Sequence, residues 1–437
     1  MTDSRNARAA DARVALFCEA PVSLLPDAPR TAHNLRSEQF LGALRRSGVS
    51  VLVVYVNRSV TGALRVRRID DRTACWEVND TAPGWRMSVR RKLRGEKIRS
   101  SVALTLGGAM MARSLAGRIP LWVDFYGDPL IEKIGQDTYY GNQYGTLATR
   151  WRLRRILMSA DRISVCSESQ KSLVVGALLY FGRLDYANFR DPVVNVFHFF
   201  ADSEPRAASR RVPRPKSSGR TVTLLFNGSV NSWTDVALLS EVLGRVLLLR
   251  KNVRFIQFGK NILPPGHLEE FMRFASRNGI GDRAAFLGTV SDTEAEELYR
   301  RSDICVSADL DTLETRLGWR TRYISAMQRG LVIVSTLGND LAGILSAEGV
   351  GLFSPAGDQD AFARNLLTLV DNAELRRRMS AKARRYIAEK SRDDSQFLPL
   401  LRWIAEPVVL TSERTPLTHL RNVGTYLRWT LAGRLFR

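Results

Sequence analysis

The sequence predicts an α/β protein made of two Rossmann-like domains that face a cleft. The chain has 437 residues, enough for two domains of ordinary size. Short apolar runs alternate with segments of helical spacing in both halves, which is typical of parallel sheets covered by helices. Residues 203–220, rich in proline and basic side chains, separate the two series. We therefore divide the chain into an N-terminal domain at 1–203, a basic linker at 204–220, a C-terminal domain at 221–400 and C-terminal helices at 401–437.

The first half opens with a strand–helix–strand pattern. Arg13 to Cys18 is a continuous apolar run, as expected of a buried strand. Ala32 to Ser47 has helical spacing that stops at Gly48, and Val49 to Val56 is the next strand. Further strands are expected at 101–106, 120–124 and 162–167, and a long basic helix at 145–160.

The second half repeats this alternation. Val222 to Phe226 has the pattern of a buried strand, and Asp235 to Leu249 follows with helical spacing. Later strands are expected at 254–258, 284–287, 304–307 and 331–336, and helices at 268–278, 292–301, 358–371 and 373–390. Open sheets of this kind bind ligands outside the carboxyl ends of their strands.

Composition indicates a globular protein in which a His/Cys metal site is not expected. Hydrophobic residues make up 45% and charged residues 25%, which are globular values. The four cysteines are scattered and read as small buried side chains, and with only four histidines a metal site is not expected. No apolar run approaches the roughly 20 residues that span a bilayer, and no secretory signal is visible. We therefore expect a cytoplasmic protein.

The charge is strongly basic, with 65 Lys and Arg against 44 Asp and Glu and a formal net charge of +21. Such a charge attracts polyanions: nucleic acid, an anionic membrane or phosphorylated substrates. Basic residues are not interleaved with aromatic ones on a recognisable nucleic-acid module, so no nucleic-acid partner is expected. A nucleic-acid-binding protein nevertheless stays open as an alternative.

The tail at 414–437 carries leucines at helical spacing together with Trp429, Phe436 and several arginines. A basic helix of this composition is typical of a segment lying in the plane of a membrane surface. The alternative is a terminal helix that packs back on the first domain. The basic run from Arg86 to Arg99 could add to the same positive surface.

The most informative stretch runs from Glu314 to Gly330 between two predicted strands. It places Arg320, Thr321 and Arg322 at the start of a short helix. Guanidinium groups and free helix N–H groups together make a seat for a diphosphate. The stretch therefore predicts an anion site at the carboxyl edge of the second sheet.

The same stretch resembles the nucleotide-binding segment of GT-B glycosyltransferases of the family 4, or group 1, type. Glu314-Thr-Arg316 and Arg320-Thr-Arg322 are similar to a variant branch with the pattern Glu-Thr-Arg, three residues, Arg-Thr-Arg. Ser325 stands where that branch has Asp, and the two glutamates of the more usual family pattern are missing. The resemblance implies a GT-B fold and binding of a nucleotide sugar. The missing glutamates leave a catalytically inactive GT-B scaffold in an assembly complex as an alternative.

Other donor contacts are predicted around strand ends of the second half. Gly228 permits close backbone approach, Trp233 could stack on a base or sugar, and Asp235 opens the next helix. By resemblance, the main chain near Val290 would hold the base, and Glu314 would join Arg320, Thr321 and Arg322. The Asp309-Leu-Asp311 pair has the spacing of a metal site, but we expect it to be solvated or structural.

Asp124 and Asp128 are the catalytic candidates in the first half. They lie in Trp122-Val-Asp-Phe-Tyr-Gly-Asp-Pro, where a strand ends in a turn, and similar residues occur in the variant branch. If the reaction inverts the anomeric carbon, either carboxylate could take the proton of the acceptor hydroxyl. If it retains the configuration, the departing phosphate can accept that proton and the two residues would orient sugars. Glu19, His33 and Asn34 follow the first strand and could also face the acceptor.

Together these features predict a glycosyltransferase that moves a hexosyl or deoxyhexosyl group from a nucleotide sugar to a saccharide or lipid-linked acceptor. The resemblance places such an enzyme in the synthesis of surface polysaccharide or glycoconjugate. The donor is a substrate, so no cofactor is expected. A peripheral position on the inner face of an anionic membrane is a further expectation from the charge.

Overall fold

The computed structural model describes residues 13–22, 31–141, 144–185, 188, 190–200, 221–260 and 267–410. The proposed linker at 204–220 and the candidate membrane segment at 414–437 lie outside the described residues. Within the described part, no helix has the length and apolar character needed to cross a bilayer.

The first half is built on a sheet of eight described strands in the order β3-β4-β2-β1-β5-β6-β7-β8. All pairs are parallel except β3 with β4. The apolar runs make the central strands because both of their faces are covered. The sequence reading missed β3 and β4, since β3 is a short, arginine-rich and largely exposed edge strand. The strands are β1 Arg13–Cys18, β2 Ser50–Val56, β3 Leu64–Arg68, β4 Thr73–Val78, β5 Ser100–Leu104, β6 Leu121–Phe125, β7 Arg162–Val165 and β8 Val194–Val196.

Helices cover both faces of this sheet. Helices α2, α3, α5 and α6 contribute to the core on one face, and α1 packs on the other. Thr31 caps α1 through a capping box with Asn34. The helices are α1 Ala32–Arg46, α2 Trp85–Arg94, α3 Thr105–Leu115, α4 Pro129–Tyr140, α5 Tyr144–Leu157 and α6 Glu168–Tyr180.

The second half has a fully parallel sheet in the order β11-β10-β9-β12-β13-β14 over its described residues. The strand order reverses between β9 and β12, and ligands bind at such a reversal in doubly wound folds. The strands are β9 Val222–Asn227, β10 Val253–Phe258, β11 Ala284–Phe286, β12 Ile304–Val306, β13 Val332–Thr336 and β14 Gly351–Ser354. The helices are α7 Val236–Leu249, α8 His267–Arg277, α9 Asp292–Arg301, α10 Leu313–Leu317, α11 Thr321–Gln328, α12 Asp340–Ala347, α13 Gln359–Asp371, α14 Ala373–Arg392 and α15 Leu398–Ala405.

The last helix, α15, returns to the first half. Leu400 and Trp403 are buried in the core beneath α1, together with Phe397. The rings of Phe397 and Phe197 lie 5.0 Å apart, and those of Trp122 and Trp403 lie 5.7 Å apart. The sequence division at residue 400 therefore cuts through a unit that packs on the first sheet.

The two halves meet through polar contacts beside the cleft. The backbone N–H and hydroxyl of Ser169 donate to the Asp340 carboxylate at 2.9 and 2.6 Å. Gln170 Nε2 donates to the Leu317 carbonyl at 2.7 Å, and Trp319 Nε1 donates to the Phe199 carbonyl at 3.0 Å. These bonds join the carboxyl edges of the two sheets, so the expected cleft lies between them.

Replacing Leu400 tests the return of the last helix. Leu400→Ala leaves a cavity under α1, which should lower the free energy of unfolding by about 2–5 kcal/mol. Leu398→Ala is the matched control, since Leu398 is 44% exposed on the same helix and should have little effect. Chemical denaturation measures both changes, and equal effects would contradict the packing described here.

Candidate functional site

A cavity of about 290 Å³ lies at the carboxyl edge of the second sheet. Its lining includes Ser229, Gly259 and Val290, which follow the ends of β9, β10 and β11. Leu35 of α1 lines the same cavity, which therefore lies between the two halves. Its position beside a strand-order reversal is where a doubly wound fold accepts a ligand.

Gly259, which lines this cavity, and Gly228, which packs against Gly259, form a glycine floor. Gly228 and Gly259 have φ angles of 110° and 119°, which favour glycine. A Cβ on Gly259 would collide with the backbone of Gly228. Gly228 N donates to the Phe258 carbonyl at 2.9 Å, and Gly259 N donates to the Gly288 carbonyl at 2.7 Å. The strand ends thus lock together without side chains and leave room for a ligand above them.

Charged side chains stand at the wall of the cavity. Arg329 Nε donates to Glu296 Oε2 at 2.9 Å, and the Arg329 guanidinium lies 4.4 Å from the centre of the Tyr299 ring. Lys260 is exposed at the mouth. Ser325, where the resemblance expects a carboxylate, also lines the cavity. A group with phosphate and hydroxyl functions would therefore meet both charges and hydrogen-bonding groups here.

Arg320 is buried in an ion-paired cluster below the cleft. Its Nε donates to Asp309 Oδ2 at 2.7 Å, and its two terminal nitrogens donate to the Glu314 carboxylate at 3.1 Å each. Its guanidinium lies 5.1 Å from the centre of the Trp233 ring. Burial alone would lower the pKa of Arg320, but the charges of Asp309 and Glu314 outweigh it and raise that pKa.

Arg322 faces a different direction. It donates to the Ser229 carbonyl at 2.9 Å and to the Ser307 hydroxyl at 3.3 Å, and it lies over the Phe226 ring. Burial lowers its pKa. Arg322 therefore ties the end of β9 to the residue that follows β12.

The two guanidinium groups that were predicted to hold a diphosphate together are bound to different partners in this structure. Arg320 is 5% exposed and its donors are directed to Asp309 and Glu314, while Arg322 is directed to Ser229 and Ser307. Asp309 in the loop before α10 and Glu314 in the first turn of α10 come within reach of Arg320, which their spacing in the sequence did not indicate. Contacts of Arg320, Arg322 and Glu314 with a donor stay predictions.

The other predicted donor residues have identifiable positions. Asp235 caps α7 by accepting from Leu238 N at 2.9 Å, and Thr321 begins α11 beside Phe199 of the first half. Trp233 packs under Arg320, and its indole N–H is buried without a hydrogen-bond partner among the described residues. Gly228 and Val290 adjoin the cavity, whereas Trp233 lies in the ion-paired cluster.

Asp124 is fully buried, and its surroundings do not support the role of proton acceptor. Arg36 donates to both carboxylate oxygens at 2.9 and 2.7 Å, and the Ser164 hydroxyl donates at 2.6 Å. Neither residue of the Arg36–Asp124 pair has any exposed side-chain surface. In this structure Asp124 is therefore a buried partner of Arg36 and Ser164, and its catalytic role stays a prediction.

Asp128 caps α4 by accepting from Leu130 N at 3.0 Å and Ile131 N at 2.8 Å. Burial raises its pKa despite these bonds. The residue is therefore the turn-and-cap carboxylate that its Gly-Asp-Pro sequence indicates. Its catalytic role stays a prediction.

Glu132 lies one turn further along α4 and ends the motif that begins at Trp122, but the sequence analysis gave it no catalytic role. Burial, followed by the charges of Glu314 and Asp128, raises the pKa of Glu132 to about 7. A Cβ on Gly127 would collide with its carboxylate, so the turn before α4 leaves space for this group. In the sequence, Glu132 follows Asp128 by four residues. Because residues at i and i+4 share one face of a helix, this spacing could have indicated that Glu132 lies beside Asp128.

A second polar group lies at the end of β1. His33 Nε2 lies 3.6 Å from Glu19 Oε2, and the Tyr126 hydroxyl lies 3.1 Å from the His33 ring nitrogens. Burial lowers the pKa of His33. Glu19 and His33 are about two-fifths exposed, while Asn34 is buried in the cap of α1. Glu19 and His33 thus present hydrogen-bonding groups on the first-half side of the cleft.

No group of three or more His, Cys, Asp or Glu among the described residues is arranged to hold a metal ion. The two carboxylates of the Asp309-Leu-Asp311 pair bind two different arginines. Asp309 binds Arg320 in the interior, and Asp311 binds Arg316 at the surface with distances of 3.0 and 3.1 Å.

The fold is the GT-B architecture, with two Rossmann-like domains facing a cleft. Sucrose-phosphate synthase from Thermosynechococcus elongatus is 13% identical with a TM-score of 0.57, covering 97% of this chain and 100% of that chain. An E. coli structure described as trehalose-6-phosphate bound with UDP-2-fluoro glucose is 13% identical with a TM-score of 0.60, covering 91% and 100%. HepE from Anabaena, in complex with UDP and glucose, is 12% identical with a TM-score of 0.59, covering 89% and 98%.

Residues 221–372 match the family model described as Glycosyl transferases group 1. This range contains the second sheet and the stretch from Glu314 to Gly330. The resemblance to that family is therefore confirmed, as is the two-domain GT-B fold. No curated protein sequence matches the chain.

Removing the Arg320 guanidinium should destabilise the second half. Arg320→Met leaves Asp309 and Glu314 buried without their cation, which should lower the free energy of unfolding by about 3–5 kcal/mol. Arg316→Met is the control, because Arg316 pairs with Asp311 at the surface and its loss should leave stability near that of the unchanged protein. Urea denaturation of both variants checks this, and a fully stable Arg320→Met protein would contradict the cluster.

Proposed function

We propose that this chain is a glycosyltransferase that transfers a sugar from a nucleotide donor to an acceptor hydroxyl in the cleft. The observation that carries the proposal is the cavity of about 290 Å³ at the end of the second sheet, within the part that matches the group 1 family. Leu35 of the first half closes one side of it. A donor bound there would expose its sugar to groups from both halves.

In the proposed complex, the nucleoside occupies the cavity beside Val290, and the diphosphate lies near Lys260 and the glycine floor. Lys260 follows β10 at the cavity mouth, where its ammonium group can reach a phosphate. Main-chain N–H groups near the start of α11 add positive potential at the same edge. Ser325 and the Glu296–Arg329 pair supply hydrogen-bonding groups for ribose hydroxyls.

We further propose Glu132 as the proton acceptor. The acceptor oxygen forms a bond to the anomeric carbon, the bond from that carbon to the diphosphate oxygen breaks, and the hydroxyl proton moves to the Glu132 carboxylate. A pKa of about 7 suits this role, because proton transfer is most effective when the pKa lies near the working pH. Glu132 lies on the first half near Glu314 of the second, so it belongs to the cleft.

The proposed donor is a nucleoside diphosphate hexose or deoxyhexose, and the proposed acceptor is a saccharide or a lipid-linked saccharide. UDP-glucose is the first donor to test, because UDP and glucose occur in the complex of HepE and UDP-2-fluoro glucose in that of the E. coli structure. The reaction would need no resident cofactor. A cytoplasmic role in surface polysaccharide or glycoconjugate synthesis fits such substrates.

The inactive-scaffold alternative has one structural feature in its favour. Arg320 and Glu314 bind each other in the interior, and position 325 carries serine in place of a carboxylate. A protein that binds nucleotide but does not hydrolyse or transfer any nucleotide sugar would support the scaffold. Sugar transfer that depends on Glu132 would exclude it.

Nucleotide binding tests the donor site. Lys260→Ala should weaken binding of the preferred nucleotide, chosen by thermal shift among UDP, dTDP, GDP and CMP, by roughly tenfold, or about 1.4 kcal/mol. Lys251→Ala is the matched control, since Lys251 is exposed at the opposite end of the same strand. Isothermal titration calorimetry gives both dissociation constants, and equal losses for the two variants would remove Lys260 from the site.

The pH dependence of turnover tests Glu132. Because the proton acceptor must be ionised, kcat of the unchanged protein should rise as pH increases through about 7. Glu132→Gln should lower kcat by roughly 10²–10⁴-fold and abolish that rise, with nucleotide affinity unchanged. An unaltered pH profile in the variant would show that the proton goes elsewhere, as when the departing phosphate accepts it.

Folding of the Glu132 variant has its own check. The pKa of Glu132 is above the ordinary 4.5, so its ionisation costs stability, and the unchanged protein loses stability as pH rises from about 4.5 through about 7. Glu132→Gln removes that loss. Its melting temperature at pH 8 should therefore equal or exceed that of the unchanged protein, which separates lost chemistry from lost folding.

A further inference from the structure

One face of the first half is strongly basic and contains no acidic side chain in its two outer helices. Helix α2 carries Arg86, Arg90, Arg91, Lys92 and Arg94, and helix α5 carries Arg150, Arg152, Arg154 and Arg155. All nine side chains are exposed. Both helices contact α3, which lies between them on the same face of the sheet. The nine cations therefore belong to one layer of the fold.

Large apolar side chains are exposed among these cations. Tyr144, Leu147 and Trp151 of α5 are 85%, 55% and 63% exposed, and Met87 of α2 is 68% exposed. In α5 the inward side is occupied by Leu153, Ile156 and Leu157, which pack in the core. At 100° per residue, Tyr144 and Trp151 fall on the opposite side of the helix. Helix α5 thus has a second apolar stripe that is exposed to solvent at Leu147 and Trp151, with the Arg155 guanidinium 5.7 Å from the centre of the Trp151 ring.

The apolar side chains lie at the edge of the first sheet that faces the cleft. Helix α5 precedes β7 and α2 precedes β5, so each helix runs from the carboxyl edge of the sheet back to its amino edge. Tyr144, Leu147 and Met87 are in the first turns of their helices. They are therefore near the carboxyl edge, where the candidate site lies.

Helix α4 connects this edge to the candidate site. Its first turn carries Asp128 and Glu132, and it contacts α10 of the second half. Near its other end, the Asp137 carboxylate accepts from Thr146 N at 2.8 Å and from the Thr146 hydroxyl at 2.7 Å, which fixes the start of α5. At 1.5 Å per residue, the 12 residues of α4 span roughly 18 Å.

We propose that the exposed face of α2 and α5 binds the surface of an anionic lipid bilayer, with Leu147, Trp151 and Met87 inserted among the lipids. Arginine side chains would contact lipid phosphates, while indole and aliphatic groups enter the interfacial layer. This inference extends the proposed function, because the bilayer would present a lipid-linked acceptor about one helix length from Glu132. The binding itself requires neither donor nor acceptor.

A nucleic acid or a protein would make different demands on this face. Nucleic acid could use the arginines and could stack bases on Trp151, but it gains little from the exposed Leu147 and Met87. The combination of an apolar stripe with flanking cations matches the layered chemistry of a membrane surface, which is charged outside and apolar beneath. The observations therefore favour a bilayer, and nucleic acid becomes an outcome of the test.

Vesicle sedimentation of the full chain tests the proposal. The protein should bind vesicles of equal parts phosphatidylcholine and phosphatidylglycerol, and should not bind pure phosphatidylcholine. Leu147→Ser/Trp151→Ser should reduce the partition coefficient by roughly tenfold, because the apolar part of the contact is lost. Arg152→Gln/Arg155→Gln should reduce it as well and should weaken its dependence on salt.

Matched controls lie on the second half. Leu248→Ser/Leu249→Ser removes two side chains that are 42% and 53% exposed on α7, and Arg377→Gln/Arg378→Gln removes two exposed cations from α14. Neither control should change vesicle binding. If the α5 variants bind vesicles as tightly as the unchanged protein, or if the controls lose as much, the proposal is overturned.

Two further measurements separate the remaining outcomes. The first is binding of a double-stranded oligonucleotide. If the unchanged protein binds it tightly, and Leu147→Ser/Trp151→Ser weakens this binding as much as it weakens vesicle binding, the face is a nucleic-acid surface and the proposal is overturned. Nucleotide affinity of the same variant should be unchanged. Loss of vesicle binding with intact nucleotide binding supports the membrane face, whereas failure of Lys260→Ala to alter nucleotide binding would count only against the proposed donor site.

Discussion

The buried ion-paired cluster of Arg320 with Asp309 and Glu314 determines how the second half presents its ligand site. Asp309 of the loop after β12 and Glu314 of α10 are both held in the interior, where the one guanidinium of Arg320 pairs with both carboxylates. The cluster fixes α10 against the start of α11 and supports the Trp233 ring. Burial is the main cause of the raised pKa of Glu132, the charge of Glu314 adds to it, and the charge of Arg320 opposes it, so members of the cluster act across the cleft.

A similar pair organises the first half. Arg36 and Asp124 are both fully buried and join α1 to β6, and Arg36 also donates to the Phe197 carbonyl at 2.9 Å. Both halves therefore place a paired guanidinium directly beneath the cleft. Charges that face the cleft itself, such as Glu19, Lys260 and Glu132, lie above these buried pairs. The separation leaves the exposed groups available for a ligand while the buried pairs hold their supports in place.

Several elements could be predicted from single segments because local pattern alone decides them. The apolar runs Arg13–Cys18 and Val222–Asn227 are buried strands. Asp292–Arg301 is a helix that begins with a capping box formed by Ser291 and Glu294. The edge strand β3 was not predicted, because an arginine-rich exposed strand lacks the apolar alternation that indicates a strand. The family resemblance could likewise be found from the sequence, because the motif that carries it, Glu314 to Gly330, is one continuous segment.

The sequence by itself determined the α/β class and the alternation of strands and helices in both halves, and it indicated which segments end at the carboxyl edges of the two sheets. Only the tertiary structure decided which residues of those segments are open to a ligand. Arg320 and Asp124 are charged residues whatever the fold, so their charge alone does not show whether they face the cleft. Asp309 and Glu314 pair with Arg320 in the interior, and Arg36 pairs with Asp124 there. These partners belong to other elements of the fold and keep both side chains away from the cleft. The same packing raised the pKa of Glu132, because burial and a neighbouring carboxylate act through space and leave no mark on local spacing.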